Sequence, residues 1–358
     1  MTPPAAPTKS FPNLVTIRGP QGLLAAVPFL LGFTPVESLL LLCLNGERSR
    51  VGPVVRVDLP RGRDAEVATA EYLAVQAGRH AEAVLLVCYT TPRRRGRPAG
   101  THPRAGLMRR CRAAAQQAGV TVLDLLLVEG DHSWSYLNDR PGDRGRRVPG
   151  PLDDRLAELR CAFAVSGREV VGQREDLRRI VAGPTDADPE LIAEFESAPE
   201  RLATMATGLL PDEAAEVRRL VVAGAMSLLQ QAHRLHRSLP NRAVADLVTA
   251  IDDRTTRDWL LQWILGQDHD DVLPLVLSLA RAVPDPLAAE ISVVASWTAY
   301  RSGDGALANL AVERALAIDP DHVLAGLLLR CFFAGMRPEE LDRLLDDAGV
   351  PPTPGVSA

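Results

Sequence analysis

A chain of 358 residues with 46% apolar side chains is long enough for two domains of ordinary size, each with a buried core, and wholesale disorder is excluded. The formal charge of −5 leaves no basic footprint for nucleic acid or an anionic membrane surface. Neither is expected as a partner. Lys9 is the only lysine, so arginine supplies nearly all the positive charge; that bias points to a GC-rich genome and carries no mechanism.

The first residues, MTPPAAPTKS, lack a basic region followed by an apolar one, and residues 1–11 read as a tail, as do 351–358. The apolar stretches 23–31 and 39–44 fall short of the roughly 20 residues that span a bilayer. Five cysteines (Cys43, Cys88, Cys111, Cys161, Cys331) form no CxxC and no close pair, and their odd number argues against a complete disulfide framework. A cytoplasmic protein without cofactor or metal is the expectation.

Over residues 12–150 short apolar runs alternate with helical patterns. LVTI (14–17), SLLLLCLN (38–45), VGPVVRVDL (51–59), AVLLVCYT (83–90) and VTVLDLLLVEG (120–130) predict strands. QGLLAAVPFLL, DAEVATAEYLAVQAG and RAGLMRRCRAAAQQAG between them predict helices, the last two stopping at Gly78 and Gly119. The nearly all-apolar runs at 83–90 and 120–130 suit central, parallel positions covered on both faces, while Asn45-Gly46 signals an edge hairpin. An α/β domain with a mixed sheet and flanking helices follows. A Gly/Pro/Asp/Arg loop closes it near Gly150.

From Pro151 to about residue 350 helical periodicity takes over, with an internal linker at GPTDADP (183–189) and an N-cap expected at Asp212. Sliding the last third against itself by about 34 residues, the period of helix-turn-helix repeats, aligns Trp263 with Trp297 and Asp285-Pro286 with Asp319-Pro320. Residues 289–320 resemble a tetratricopeptide repeat: Gly303-Asp304 fit its turn, Ala308 and Ala315 its small packing sites, Asp319-Pro320 its end. Residues 255–288 and 323–347 read as further units of an all-α domain, with Gly335 and Pro338 replacing the Gly-Asp turn in the last. So few units need support from the preceding helices.

The run PFLLGFTPVES (28–38), the triplet Trp134-Ser135-Tyr136 and the run Gly303 to Ala308 resemble an actinobacterial family catalogued as domain of unknown function 4192. The resemblance spans nearly the whole chain. It implies a cytoplasmic actinobacterial protein and lends no mechanism, because the family has no assigned activity. Many members carry cysteines and a Pro-Pro-Glu-Gly stretch after the Trp-Ser-Tyr; residues 138–150 here contain no cysteine, so no metal or redox role carries over.

No GxSxG elbow, GxxxxGK[ST] loop or GxGxxG fingerprint occurs, so no catalytic residue is assigned and the usual nucleotide folds get no support. Thr34, Glu37 and Ser38 lie at a strand mouth and form a candidate ligand edge with Arg93, Arg94, Arg95 and Arg97, which suit phosphate. The structural reading, a turn followed by a solvated loop, is favoured there. His233 and His236 have a metal-ligand spacing without a third ligand, Asp268 to Asp271 read as a capping turn, and Trp134 and Tyr136 as a cap on the sheet's core. The sharpest surface is the first-helix face of the repeats, with Trp259, Trp263, Val293, Trp297, Tyr300 and Arg301: large aromatics beside an arginine carry binding energy at protein interfaces. The competing reading, which amphipathic patterning favours, buries these rings against the helices of 211–250. The functional expectation is a non-catalytic interaction or regulatory protein that binds a protein or peptide through its carboxy-terminal helices; the alternative is an enzyme or sensor holding a small phosphorylated ligand at the sheet edge.

Overall fold

The computed structural model describes residues 19–46, 50–92, 102–138, 144–150, 153, 156–157, 160–161, 170 and 172–347. The chain divides into two units, one up to Arg174 and one from Glu175 onward.

In the first unit α1 (Gly19–Leu31) leads to β1 (Ser38–Asn45) and β2 (Arg50–Asp58), followed by α2 (Arg63–His80), β3 (Ala83–Thr90), α3 (Ala105–Gln117), β4 (Thr121–Glu129), β5 (His132–Ser135) and β6 (Arg146–Arg147). The six strands form one sheet in the order β2-β1-β3-β4-β5-β6, with β3 and β4 parallel and all other pairs antiparallel. The expected mixed sheet therefore forms. β1 and β3 read as unbroken apolar runs because both faces are covered, as strands in that position must be. Leu39, Leu41, Leu86 and Leu127 on one face pack with Leu73 and Ala77 of α2 and Leu107 and Met108 of α3. Leu40, Leu42, Leu85 and Val87 on the other face are equally buried.

Asn45, paired with Arg50 across β1–β2, ties the end of β1 to the α2–β3 connection, its amide donating to His80 O at 2.8 Å and its Oδ1 accepting from Glu82 N at 3.1 Å, and Gly46 after it has a positive φ of 71°. Trp134 and Tyr136 pack against the α2–α3 side of the core, and the Tyr136 hydroxyl donates to Pro103 O at 2.6 Å. Gly145 (φ 73°) lies flat on the indole, where an added Cβ would come within 2.5 Å of the ring. Gly145→Ala is expected to cost about 1–3 kcal/mol through overpacking and left-handed strain, read as a lower urea midpoint by circular dichroism.

The second unit is helical: α4 (Arg174–Val181, beginning at the boundary), α5 (Pro189–Ala206), α6 (Pro211–Arg234), α7 (Asn241–Ile251), α8 (Arg254–Leu265), α9 (His269–Ala282), α10 (Ala289–Arg301), α11 (Gly305–Ile318), α12 (Val323–Phe333) and α13 (Pro338–Asp347). The starts are written locally. Asp188 accepts from Glu190 N at 3.0 Å ahead of Pro189, Asp253 from Thr256 N at 2.9 Å, and Asp304 from Leu307 N at 3.0 Å after Gly303 at φ 75°. Asp212 is not the cap expected for α6. Pro211, with no N–H to lose, takes the first helical position, and Glu213 reaches back to accept from Leu210 N at 2.9 Å.

α10 is the hub of this unit, buried at every residue from Ile291 to Ala299. Two of its three buried hydroxyls are satisfied, Ser296 donating to Ala308 O at 2.8 Å and Thr298 to Val294 O at 2.7 Å, while Ser292 Oγ has no partner among the described residues. The Ser296 bond offsets the cost of a polar group buried between α10 and α11.

Candidate functional site

At the sheet edge formed by the start of β1 and the ends of β2, β3 and β4, Glu37 has a left-handed backbone (φ 44°). Its carbonyl accepts from Leu59 N at 3.0 Å, and its carboxylate takes both the Thr91 N–H at 2.6 Å and the Thr91 hydroxyl at 2.8 Å. Ser38 is fully buried; its hydroxyl donates to Val36 O at 2.7 Å and accepts from Arg56 Nε at 3.0 Å. Thr34 is exposed, with its N–H 3.3 Å from Gly172 O. Glu37 and Ser38 thus stitch the entrance of β1 to the exits of β2 and β3, and among the described residues neither is hydrogen-bonded to a base that could activate it. Arg93, Arg94, Arg95 and Arg97 lie outside the described residues.

The six residues of the expected aromatic groove do not share a surface. Trp259 (5% exposed), Val293 (0%) and Trp297 (1%) belong to the core, whereas Trp263, Tyr300 and Arg301 are half-buried. The correction has a visible cause: this chain's own last helices take that face. Tyr300 stacks on Phe332 of α12 at 4.2 Å and its hydroxyl donates to Met336 O. The Arg301 guanidinium lies 4.9 Å over the Trp297 ring, and its Nε bonds Asp342 of α13 at 3.1 Å. Trp259, Trp297, Tyr300 and Arg301 are thus spent on intramolecular packing, and Trp263 stays half-buried.

The metal-like spacings also dissolve. His233 ends α6, but His236 lies beyond it with a positive φ of 50°, so the two imidazoles do not share a helical face. Among the described residues no group of three His, Cys, Asp or Glu side chains is placed to hold a metal. Burial pushes the thiols of Cys43 and Cys88 up to about 11 and that of Cys111 up to about 12, which keeps them protonated and unreactive at neutral pH.

A buried ionic group joins three helices of the second unit. Glu290 at the start of α10 accepts from Arg257 of α8 at 3.2 Å, and its Oε1 lies 3.0 Å from Nε2 of His322, which caps α12 by accepting from Ala325 N through Nδ1 at 3.3 Å. The Glu290 contact raises the His322 pKa against the opposing effects of burial and of Arg257. Full protonation gives up the cap, a term of about 1 kcal/mol, for a stronger attraction to the Glu290 carboxylate. A raised folded-state pKa means a stabilisation complete below the ordinary imidazole value and lost as pH rises through the raised one. Wild-type unfolding free energy is therefore expected to fall across that window, and His322→Gln to flatten the slope in denaturant titrations at stepped pH.

Two features lie outside the sequence expectations. At 3.6 residues per turn, Val323, Leu327 and Arg330 of α12 stand opposite the buried Ala325, Leu328 and Phe332. Val323 is 73% exposed, Leu327 45% and Phe333 61%. α12 is thus apolar nearly all round yet covered on one side. The second feature is a depression of about 160 Å³ between the first turn of α1 and the β4–β5–β6 edge, lined by Gln21, Asp124, Ser133, Ser135, Asn138 and Arg146 beside the apolar Pro20, Leu126 and Trp134. The α12 stripe was readable as excess hydrophobicity; the depression joins residues far apart in sequence and left no local signal.

A mixed-sheet unit followed by a helical unit, with no assembled catalytic group among the residues considered above, defines the class of this protein only by its architecture. The family model described as Domain of unknown function (DUF4192) matches residues 20–339, and the chain belongs to that family. No curated protein and no solved structure matches it. No helix among the described residues is long and apolar enough to cross a membrane.

Proposed function

We propose that the chain is a non-catalytic interaction or regulatory protein of the cytoplasm whose carboxy-terminal helices, acting as tetratricopeptide-like hairpins, bind a protein or peptide partner. The observation that carries this reading is the outer face of α12. VLAGLLLRCFF has one charged residue, Arg330, and a helix apolar all round is ordinarily buried all round. Here Val323, Leu327 and Phe333 face solvent instead. Terminal members of helical repeats need a polar outer face to stay soluble, and exposed apolar patches mark interaction sites. The repeat reading draws on helix starts at Arg254, Ala289 and Val323, which keep the sequence interval, and on the Gly303-Asp304 turn. The contact face moves from the buried tryptophans to α12.

The test is a substitution that changes the surface alone. Val323→Glu with Leu327→Glu is expected to leave the unfolding free energy within about 1 kcal/mol of wild type, about 0.5 kcal/mol for each surface substitution. Affinity capture from the native cell extract should then lose the proteins that wild type retains. Identical capture by both would remove α12 as the contact face.

A further inference from the structure

We propose that the depression between α1 and the β4–β5–β6 edge is a binding site for a small zwitterion of amino-acid size. It lies in the first unit and stands independently of the partner surface on α12. The sheet register builds it. Ser133 pairs with Arg146 across β5–β6, and Ser135 with Leu126 across β4–β5, so Ser133, Ser135, Leu126, Asp124 and Arg146 project from one face. The first turn of α1 bounds the same space, with Gln21 Nε2 donating to Ser133 Oγ at 3.2 Å.

The hydroxyls of this wall are already committed. Ser133 Oγ donates to Arg146 O at 3.4 Å; Ser135 Oγ donates to Asp124 Oδ1 at 2.6 Å and accepts from Leu137 N at 3.1 Å. They position the charged groups and do not meet a ligand. Both bonds to Asp124, from Ser135 and from Leu125 N at 2.7 Å, fall on Oδ1, so Oδ2 is left to accept. The exposed Arg146 and Asn138 line the same space.

Opposite charges on the wall choose the ligand. Phosphate or sulfate would suit Arg146 and be repelled by Asp124, a divalent cation the reverse, and an apolar ligand would desolvate both without compensation. A molecule carrying an ammonium and a carboxylate satisfies each with a charge-assisted bond. A volume of about 160 Å³ compares with the engineered cavity of about 150 Å³ that holds benzene, six heavy atoms. Glycine, alanine and serine fall in that range.

Equilibrium dialysis of the full chain against radiolabelled glycine, L-alanine and L-serine tests the site, with L-lactate (no ammonium) and ethanolamine (no carboxylate) as controls. Saturable binding of at least one amino acid is expected, with each control at least about tenfold weaker. Asp124→Asn keeps an acceptor for Ser135, and Arg146→Gln alters an exposed side chain, so both variants should fold, as unchanged circular dichroism would show. Each is expected to weaken binding about tenfold or more, the worth of one lost charged hydrogen bond. The proposal is overturned if no amino acid binds, if either control binds as well, or if the two folded variants bind like wild type.

Discussion

Trp297→Ala is expected to be among the most destabilising single substitutions in the helical unit, costing about 3–5 kcal/mol. The indole is 1% exposed at the middle of α10, the helix buried from Ile291 to Ala299, so its removal opens a cavity that the surrounding helices can close only in part. At about 2–4 °C per kcal/mol for a unit of this size, the melting temperature should fall by roughly 10 °C. Two comparisons isolate the cause. Trp297→Phe should be much milder, because the indole N–H has no hydrogen-bond partner among the described residues and phenylalanine keeps most of the volume. Trp263→Ala, at a half-buried position, should lose less than Trp297→Ala. A Trp297→Ala protein melting like wild type would return this ring to the surface and reopen the aromatic-groove reading.

Those tryptophans show where sequence stops informing. The spacing of Trp263 and Trp297 reports that both lie on the inward stripe of helices a repeat apart, and a stripe is apolar whether it meets the core, a following helix or a partner. The decision belongs to Tyr300 and Arg301, whose contacts with Phe332, Met336 and Asp342 span more than thirty positions and are invisible to periodicity. Features fixed within a few residues were legible. The Asn45-Gly46 hairpin, the all-apolar β3 and the Gly303-Asp304 turn each follow from local geometry. β6 is the opposite case: two exposed arginines with no strand pattern, ordered by pairing with His132 and Ser133. His236 failed for a subtler reason. Its spacing from His233 assumed a helix that in fact ends at Arg234.

Arg314 is the other residue whose loss should be severe, and nothing in its sequence context marks it. Its side chain is 8% exposed and reaches three backbone carbonyls: Val181 at the end of α4 (2.7 Å), Ala280 in the last turn of α9 (2.6 Å) and Val283 just beyond (2.8 Å). Its Nε also bonds Asp285 at 2.9 Å. Helix ends leave carbonyls without intrahelical donors, and a cation there satisfies them and the helix dipole together. Arg314→Ala strands several buried acceptors at once and is expected to cost about 3–5 kcal/mol. Arg314→Lys should recover only part of that, since one ammonium cannot reproduce a planar fork. Asp285→Asn should cost under about 1 kcal/mol, the carboxylate being 67% exposed. Gly183 tests the same clamp from outside: a Cβ there would lie 2.5 Å from Arg314 Nη2 and 2.6 Å from Val283 O. Gly183→Ala should therefore destabilise wild type more than it destabilises the Arg314→Ala protein, where one of the two clashes is gone. Denaturant unfolding of the four proteins measures that coupling, and strict additivity would mean the guanidinium does not occupy the place that makes glycine necessary.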